Sequence, residues 1–569
     1  MTRPTSRALL GLAAVAIGFA AADTYVVVLA LPEMMVTAGL DIDQLQRAAP
    51  VVSGFLLGYV AVLPLIGRIS DLRGRVPVLL ASLVVFLVGS ALTAAAQGLE
   101  TIVIGRLVQG IGGGGLIPPT LALVADMWPP RRRGLPLGII SGVQELGSVV
   151  GPLYGAAVLS VGSWRDIFWL NTAVALVLVA ALVQLRPTAP SAPTRAGRFD
   201  LLGACLAVVA LIGVMLVLLE PPVLVRGVTS GLVYVPVAGE SRWATPLSLT
   251  TLGVVFLFVI RQALARRPLL DWRGWGLLAR QTDLIGAGLL AVVLGAVIIA
   301  FASADPQSAA ISRSAPWLLT LAVAALAGFG WRQHTAANPL VPRGALRSMP
   351  AWGALAVSFF IGVALIAALV DIPFFARLTV HPDSQLDAAL VLIRFLVALP
   401  IGAVLGGWLL HRIPASALTT VAMLMSAAAF WHMANWDAQS LASPVETISL
   451  VVAGLGFGLA LAPVNAALLA HTADAVHGVA SALLIVARMV GMLIGVSVLT
   501  AVGLQRFHAA SGRIPSVEKL CDGAMTACSA YTAAIRSAGI EQLHAVFGGA
   551  AISALIAAGL AAMLLRNER

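Results

Sequence analysis

The sequence predicts an all-α polytopic membrane protein. Three observations carry that prediction. Of 569 residues, 60% are hydrophobic and only 11% charged, with a mean hydropathy of +0.98. Apolar runs long enough to cross a bilayer, about 20 residues each, recur along the whole chain. The arginines gather in every second connection between them. A soluble chain of this length keeps about a quarter of its residues charged, so this one lacks the polar surface to stay dissolved. The net charge of +10 lies in short loops between spans, which argues against nucleic acid as a partner.

Sixteen apolar segments follow in order: 8–31, 50–68, 77–97, 101–125, 134–160, 166–186, 199–220, 247–264, 282–303, 315–333, 349–374, 385–410, 416–434, 446–471, 479–506 and 541–565. The first is too long for the apolar region of a cleavable signal peptide and no convincing cleavage site follows, so it is expected to remain as a span. The loops after even-numbered spans hold Arg73 and Arg75, Arg131 to Arg133, Arg186, Arg195 and Arg198, Arg261, Arg266, Arg267 and Arg273, and Arg343 and Arg347. Alternate loops have isolated Arg47, Arg165 and Arg313. Positive residues favour the cytoplasmic side, so both termini are expected in the cytoplasm of a bacterial inner (cell) membrane.

The chain divides into an N-terminal six-helix bundle over 1–187, a linker with inserted transmembrane hairpins over 188–348, and a C-terminal six-helix bundle over 349–569. The linker repeats itself. Asp200-Leu201-Leu202-Gly203-Ala204 opens one span and Asp283-Leu284-Ile285-Gly286-Ala287 another. Each unit ends in a similar phrase, Pro268-Leu269-Leu270-Asp271-Trp272-Arg273-Gly274 and Pro339-Leu340-Val341-Pro342-Arg343-Gly344, which points to a duplicated helical hairpin. Val233, Tyr234, Val235 and Val237 before Gly239 hint at an external β-hairpin, weakened by Pro236, which has no N–H for a ladder. A second external feature runs from Arg506 to Glu541, where the fifteenth helix is expected to project beyond the bilayer. It contains Cys521 and Cys528, a disulfide or two free thiols. Cys205 packs in a span, and no cysteine spacing resembles a zinc site.

Three ionisable side chains sit where the chain is most apolar: Asp23, Glu145 and Arg488. Insertion scales put such a charge at about 2.5–3.5 kcal/mol in mid-membrane, so these groups usually line a cavity and carry protons, ions or substrate. Their competing role is a permanent ion pair that only fixes packing. Arg394 also lies in a span, placed to snorkel, pair or contact lipid head groups. Asp371 and Arg377 read as an interfacial pair, and His471 and His477 as solvated residues of a loop.

Gly67-Arg68-Ile69-Ser70-Asp71-Leu72-Arg73-Gly74-Arg75 joins spans two and three. It resembles the loop signature of the major facilitator superfamily, with Leu72 in place of the usual first arginine. The carboxylate and arginines of such a loop (Gly67, Asp71, Arg73, Gly74, Arg75) lock neighbouring helix ends and open as a gate. Arg106-Leu107-Val108-Gln109-Gly110 in span four is similar to that superfamily's Arg-x-x-Gln-Gly signature, whose buried arginine assists proton transfer. In span five Gly147, Gly151, Pro152 and Gly155 match the Gly-x-x-x-Gly-Pro-x-x-Gly antiporter signature. Pro152 removes a helix hydrogen bond, and the glycines offer a smooth face to span eight or one.

Trp164-Arg165-Asp166 and the residues to Asn171 resemble the fourteen-span drug:proton antiporters. The phrases around Asp23, Glu145, Ala398-Leu399-Pro400 and Arg488 are similar to the mycobacterial triacylglyceride exporters, which act with a periplasmic lipoprotein. The middle departs, with two spans beyond that family's two linker helices, so that the count is about sixteen with fourteen as the alternative.

The resemblance implies a major facilitator fold of two six-helix bundles, and transport that needs Asp23, Glu145 and Arg488. The reading that follows is proton-coupled export of a triacylglyceride-like lipid by alternating access, with Arg488 exchanging between the two carboxylates. It needs no cofactor beyond a proton gradient. Its partners are a lipid or amphipathic substrate, the membrane and a periplasmic lipoprotein, with the chain a monomer. The alternatives are multidrug:proton antiport and a non-transporting structural protein. No nucleophile–base pair, metal cluster or phosphate loop marks an enzyme.

Overall fold

The computed structural model describes residues 3–40, 45–185, 200–220, 222–227, 229–238, 241–265, 278, 281–302, 314–382, 384–521 and 528–566. The Pro268–Gly274 phrase, Gly239 and Arg186, Arg195, Arg198, Arg266, Arg267, Arg273 and Arg313 lie outside them. Among the described residues the chain is helical, with no strand.

The first six spans are α1 (Arg3–Thr37), α2 (Leu45–Ala61) continued after a break by α3 (Leu63–Arg73), α4 (Arg75–Ala95), α5 (Leu99–Gly114) continued by α6 (Ile117–Met127), α7 (Gly134–Leu159) and α8 (Trp164–Gln184). Prolines explain the breaks. Pro64 sits at the start of α3 and Pro118 at the start of α6, where the missing N–H costs least.

The linker carries α9 (Leu201–Leu219), α10 (Pro246–Leu264), α11 (Leu284–Ala302) and α12 (Ala315–Thr335). The last six spans are α13 (Met349–Thr379), α14 (Gln385–Leu409), α15 (Ala415–Met433), α16 (Pro444–Ala470), α17 (His477–Ser511) and α18 (Ser529–Leu564). Fourteen spans among the described residues have the length and hydropathy to cross a membrane. Alpha7, 26 residues and so about 39 Å long, and the shorter apolar α11 fill the other two of the sixteen positions.

Two large apolar cores form, one centred in each half. Phe375, Phe395, Phe430, Phe457, Phe547 and Trp436 meet in the C-terminal half, with ring centroids 5.2–6.3 Å apart. The N-terminal core centres on Phe55, Tyr59, Leu83 and Phe86. Several apolar residues of α11, α16 and α17 join it, including Leu290, Leu294, Ala462 and Ile485. Helix α11 touches both α2 and α17, one from each half, with Gly295 against Leu57.

The linker hairpins share one construction. Asp200 caps α9 by accepting the Gly203 N–H at 3.1 Å, and Arg261 of α10 returns to it at 2.8 Å. These hydrogen bonds from Arg261 hold the Asp200 carboxyl below the usual carboxylate range. Asp283 caps α11 through the Gly286 N–H at 3.0 Å, and Arg332 of α12 returns at 2.9 Å. Arg261-Gln262 and Arg332-Gln333 are a second repeated phrase, absent from the reading of the sequence above.

The expected external β-hairpin does not form among the described residues. Gly231–Tyr234 is a 3-10 turn, and one backbone bond, Val237 N–H to Ala244 O at 2.9 Å, ties the segment together. Pro236 interrupts the donors that a ladder needs. The helix of the fifteenth span does continue, to Ser511. Cys521 and Cys528 form a disulfide in the connection that follows.

Candidate functional site

Asp23 is fully buried and Arg106 donates to it, Nη1 to Oδ2 at 2.5 Å. Three elements build this pair. The glycine-rich run of α5 lets its backbone press between α2 and α4. A Cβ on Gly110 would lie 2.1 Å from the Phe55 carbonyl oxygen, and one on Gly112 would lie 2.2 Å from the Phe86 nitrogen. That close approach brings the Phe55 ring under the Arg106 guanidinium, 4.2 Å from its centroid. Ser163 and Asp166 form a capping box that starts α8, and two turns later Asn171 donates to Asp23 Oδ1.

The chain of contacts extends at both ends. Gln109 accepts from Arg106 at 2.7 Å and donates to Ser90 at 2.8 Å. Tyr154 donates to Asn171 at 3.1 Å. A buried charge needs its partner and its hydrogen bonds together, and here the carboxylate receives both. Asp23 is therefore engaged within the N-terminal half and does not meet Arg488 in this conformation. Gln109, Tyr154 and Asn171 lie within the sequence motifs without a partner assigned to them there, and Ser90 lies outside those motifs.

Glu145 and Arg488 come from opposite halves. Each lies within the other's electrostatic reach, yet among the described residues no ion pair within 4.0 Å joins them. Arg488 is buried and its Nε has no hydrogen-bond partner among the described residues. Its helix is pressed against α13, where a Cβ on Gly362 would lie 2.1 Å from the Arg488 carbonyl oxygen. Tyr59 of α2 also lies within its electrostatic reach.

Helix α7 uses two glycine faces. Near the Arg-rich end, Gly134 and Gly138 meet Gly407 and Ala403 of α14 backbone to backbone. Farther along, Gly147 and Gly151 meet the Gly18 and Ala22 carbonyl oxygens of α1, each 2.4 Å from where a Cβ would stand, and Gly155 meets Val26. Pro152 lies inside the helix beside that second face.

The Asp71 loop clamps the two halves together at the Arg-rich end. Asp71 accepts the Gly478 N–H at 2.8 Å and the Val479 N–H at 3.0 Å, the first amides of α17. A carboxylate there satisfies orphan donors and the positive end of the helix dipole. Arg75 pairs with Asp71, reaches Asp126 at 3.2 Å and donates to the Asp474 carbonyl at 3.1 Å. Gly74 has φ +90°, the left-handed region, which lets the chain turn sharply between α3 and α4. Leu72 and Arg73 are exposed.

Two expectations change. His477 is fully buried, its Nε2 3.0 Å from the Leu469 carbonyl oxygen, because it starts α17 beneath the Asp71 clamp. Asp371 and Arg377 make no ion pair among the described residues, since six residues on a helix place them on different faces. Arg394 is exposed and donates to Thr447 at 2.9 Å.

Residues 13–496 match the Major Facilitator Superfamily model. The chain belongs to the major facilitator superfamily. Within it, the chain is 34% identical over 510 residues to the triacylglyceride transporter of Mycobacteroides abscessus, covering 88% of this chain and 82% of that protein. It is 33% identical over 522 residues to the triacylglyceride transporter of Mycobacterium tuberculosis, covering 89% and 84%. Among solved structures it shares the fold of the proton:xylose symporter XylE, with a TM-score of 0.55 at 14% identity over 98% of this chain and 95% of that one. The human organic anion transporter MFSD10 gives 0.53 at 15% over 98% and 99%.

Proposed function

We propose that this superfamily member is a proton-coupled exporter of a triacylglyceride-like lipid, working by alternating access as a monomer. The observation that carries the lipid is the match, over most of the chain, to relatives named triacylglyceride transporters. Glu145 carries the proton. It stands at the junction of the halves with Arg488 opposite, and an acid whose counter-ion stands off is free to take a proton. Closing the junction brings Arg488 to the carboxylate and expels that proton; opening it removes the arginine and lets the next proton bind. Asp23, already paired with Arg106, holds the N-terminal half together and responds through Asn171 and Tyr154. The Asp71 clamp keeps the Arg-rich side shut while the opposite side releases lipid, and breaks when the halves rock.

The orientation follows the positive-inside rule, with both termini in the cytoplasm of the bacterial cell membrane. A disulfide at Cys521–Cys528 supports an oxidising, external side for the 506–541 connection. The extended α17 hands lipid to a periplasmic lipoprotein. The test is transport in proteoliposomes under an imposed pH gradient, with a labelled triacylglyceride and a cationic dye followed in parallel. Gradient-driven lipid movement that is lost in Glu145→Gln, with the dye unmoved, is the expected result. Dye movement without lipid movement overturns the proposal in favour of drug efflux.

A further inference from the structure

Helices α1 and α7 run parallel and touch closely from Gly18 and Val143 onward, through Gly147, Gly151 and Gly155. Toward the Arg-rich end they part. The space between them, bounded also by the end of α6, is a groove of ≈ 780 Å³, within the range of about 300–1,000 Å³ of small-molecule sites. Leu10, Ala14, Leu135 and Ile139 supply apolar walls, and Leu135 and Ile139 are left 42% and 38% exposed. Gly11 faces open space, for a Cβ there meets nothing within 4 Å. Two cations, Arg7 and Arg132, share the lining with these walls, and no carboxylate among the described residues does. Arg7 stands at the start of a span and Arg132 in the turn after α6, the level of lipid head groups.

We infer that this groove holds an anionic phospholipid, its phosphate between Arg7 and Arg132 and an acyl chain against Leu10, Gly11 and Ile139. The charge favours an anionic head group over a triacylglyceride, because a neutral ester gives the two exposed guanidinium groups no counter-charge. The apolar walls exclude a free phosphate, which would leave them wetted. The occupant is therefore a resident lipid, and the inference stands whatever the cargo is. It wedges apart the helices that bear Asp23 and Glu145.

The experiment embeds the full chain in nanodiscs of equal phosphatidylglycerol and phosphatidylcholine and counts the lipids retained on gentle release by native mass spectrometry. The expected result is one phosphatidylglycerol retained in preference. Arg7→Ala and Arg132→Ala each reduce that retention about fivefold, the effect of about 1 kcal/mol per arginine near a membrane surface. Gly11→Leu fills the groove and displaces the lipid without a backbone clash. Equal retention of the two lipids, displacement by inorganic phosphate, or preference for added triolein overturns the inference. Should any variant fail to fold, wild type is labelled with a phosphatidylglycerol bearing a photoreactive tail. Adducts at residues 10–14 and 135–139 support the site, and adducts only elsewhere refute it.

Discussion

Gly67 of α3 and Gly478 of α17 meet across the two halves, and adding one carbon there tests what holds the Arg-rich side shut. A Cβ on Gly67 would lie 2.5 Å from the Gly478 carbonyl oxygen, 2.8 Å from its carbonyl carbon and 2.9 Å from the Val479 Cα. All three are backbone atoms, so no side chain can swing away. The faces must part until that 2.5 Å becomes at least 3.4 Å, the onset of ordinary contact. Overpacking of this kind costs about 1–3 kcal/mol, and the cost falls only on the arrangement in which the faces touch. Gly67→Ala should therefore shift the balance between closed and open by about 5–150-fold. The helix-propensity gain of alanine over glycine, about 1 kcal/mol, is common to both arrangements and cancels. Spin labels at exposed Leu72 and Arg412, in a Cys205→Ser background, report the separation by pulsed electron resonance. Longer distances in Gly67→Ala, with none in Gly548→Ala, where a Cβ meets nothing within 4 Å, are the expected pattern. Superimposable distributions for Gly67→Ala and wild type would refute the clamp.

Other perturbations separate charge that holds structure from charge that moves. Asp23→Asn strands the buried Arg106 and should destabilise the N-terminal half by about 3–5 kcal/mol, read as a lower melting temperature; an unchanged one would mean that water reaches the pair. Glu145→Gln breaks no ion pair, so its melting temperature should stay close to wild type while pH-driven transport is lost. Asp200→Ala and Asp283→Ala remove the side-chain acceptor and should each speed amide exchange at their own capped glycine, Gly203 or Gly286, and leave the other hairpin untouched. Maleimide should modify at most Cys205 in the oxidised protein and three cysteines after denaturation and reduction, as counted by intact mass.

Much of the fold was legible because a bilayer forces it: uninterrupted apolar runs must become helices, and arginine placement separates their ends. The duplicated hairpin was legible from Asp200 and Asp283, though the arginines that complete each unit were not, since Arg261 returns across 61 residues and Arg332 across 49. Site residues could be located but not partnered. Asp23 and Arg106 lie 83 residues apart, and whether an intramembrane acid meets one arginine or another depends on helix rotation, which apolar composition leaves open. His477 misled because a histidine beside polar residues looks solvated, whereas its ring turns inward to backbone carbonyls. Val233 to Val237 misled because β-branched content outweighed Pro236.

Helix α11 gives the molecule a front and a back. Two six-helix halves related by an approximate twofold axis would present the same joint to the lipid on either side. Here one joint, between α2 and α17, has a helix laid across it, while the other, between α7 and α14, is a line of glycine backbone with no linker helix on it among the described residues. Anything arriving sideways through the bilayer meets a helix on one flank and a glycine seam on the other. That helix touches both halves, so any rocking must shear at least one of its two contacts. The second linker hairpin thereby makes two otherwise equivalent flanks unequal.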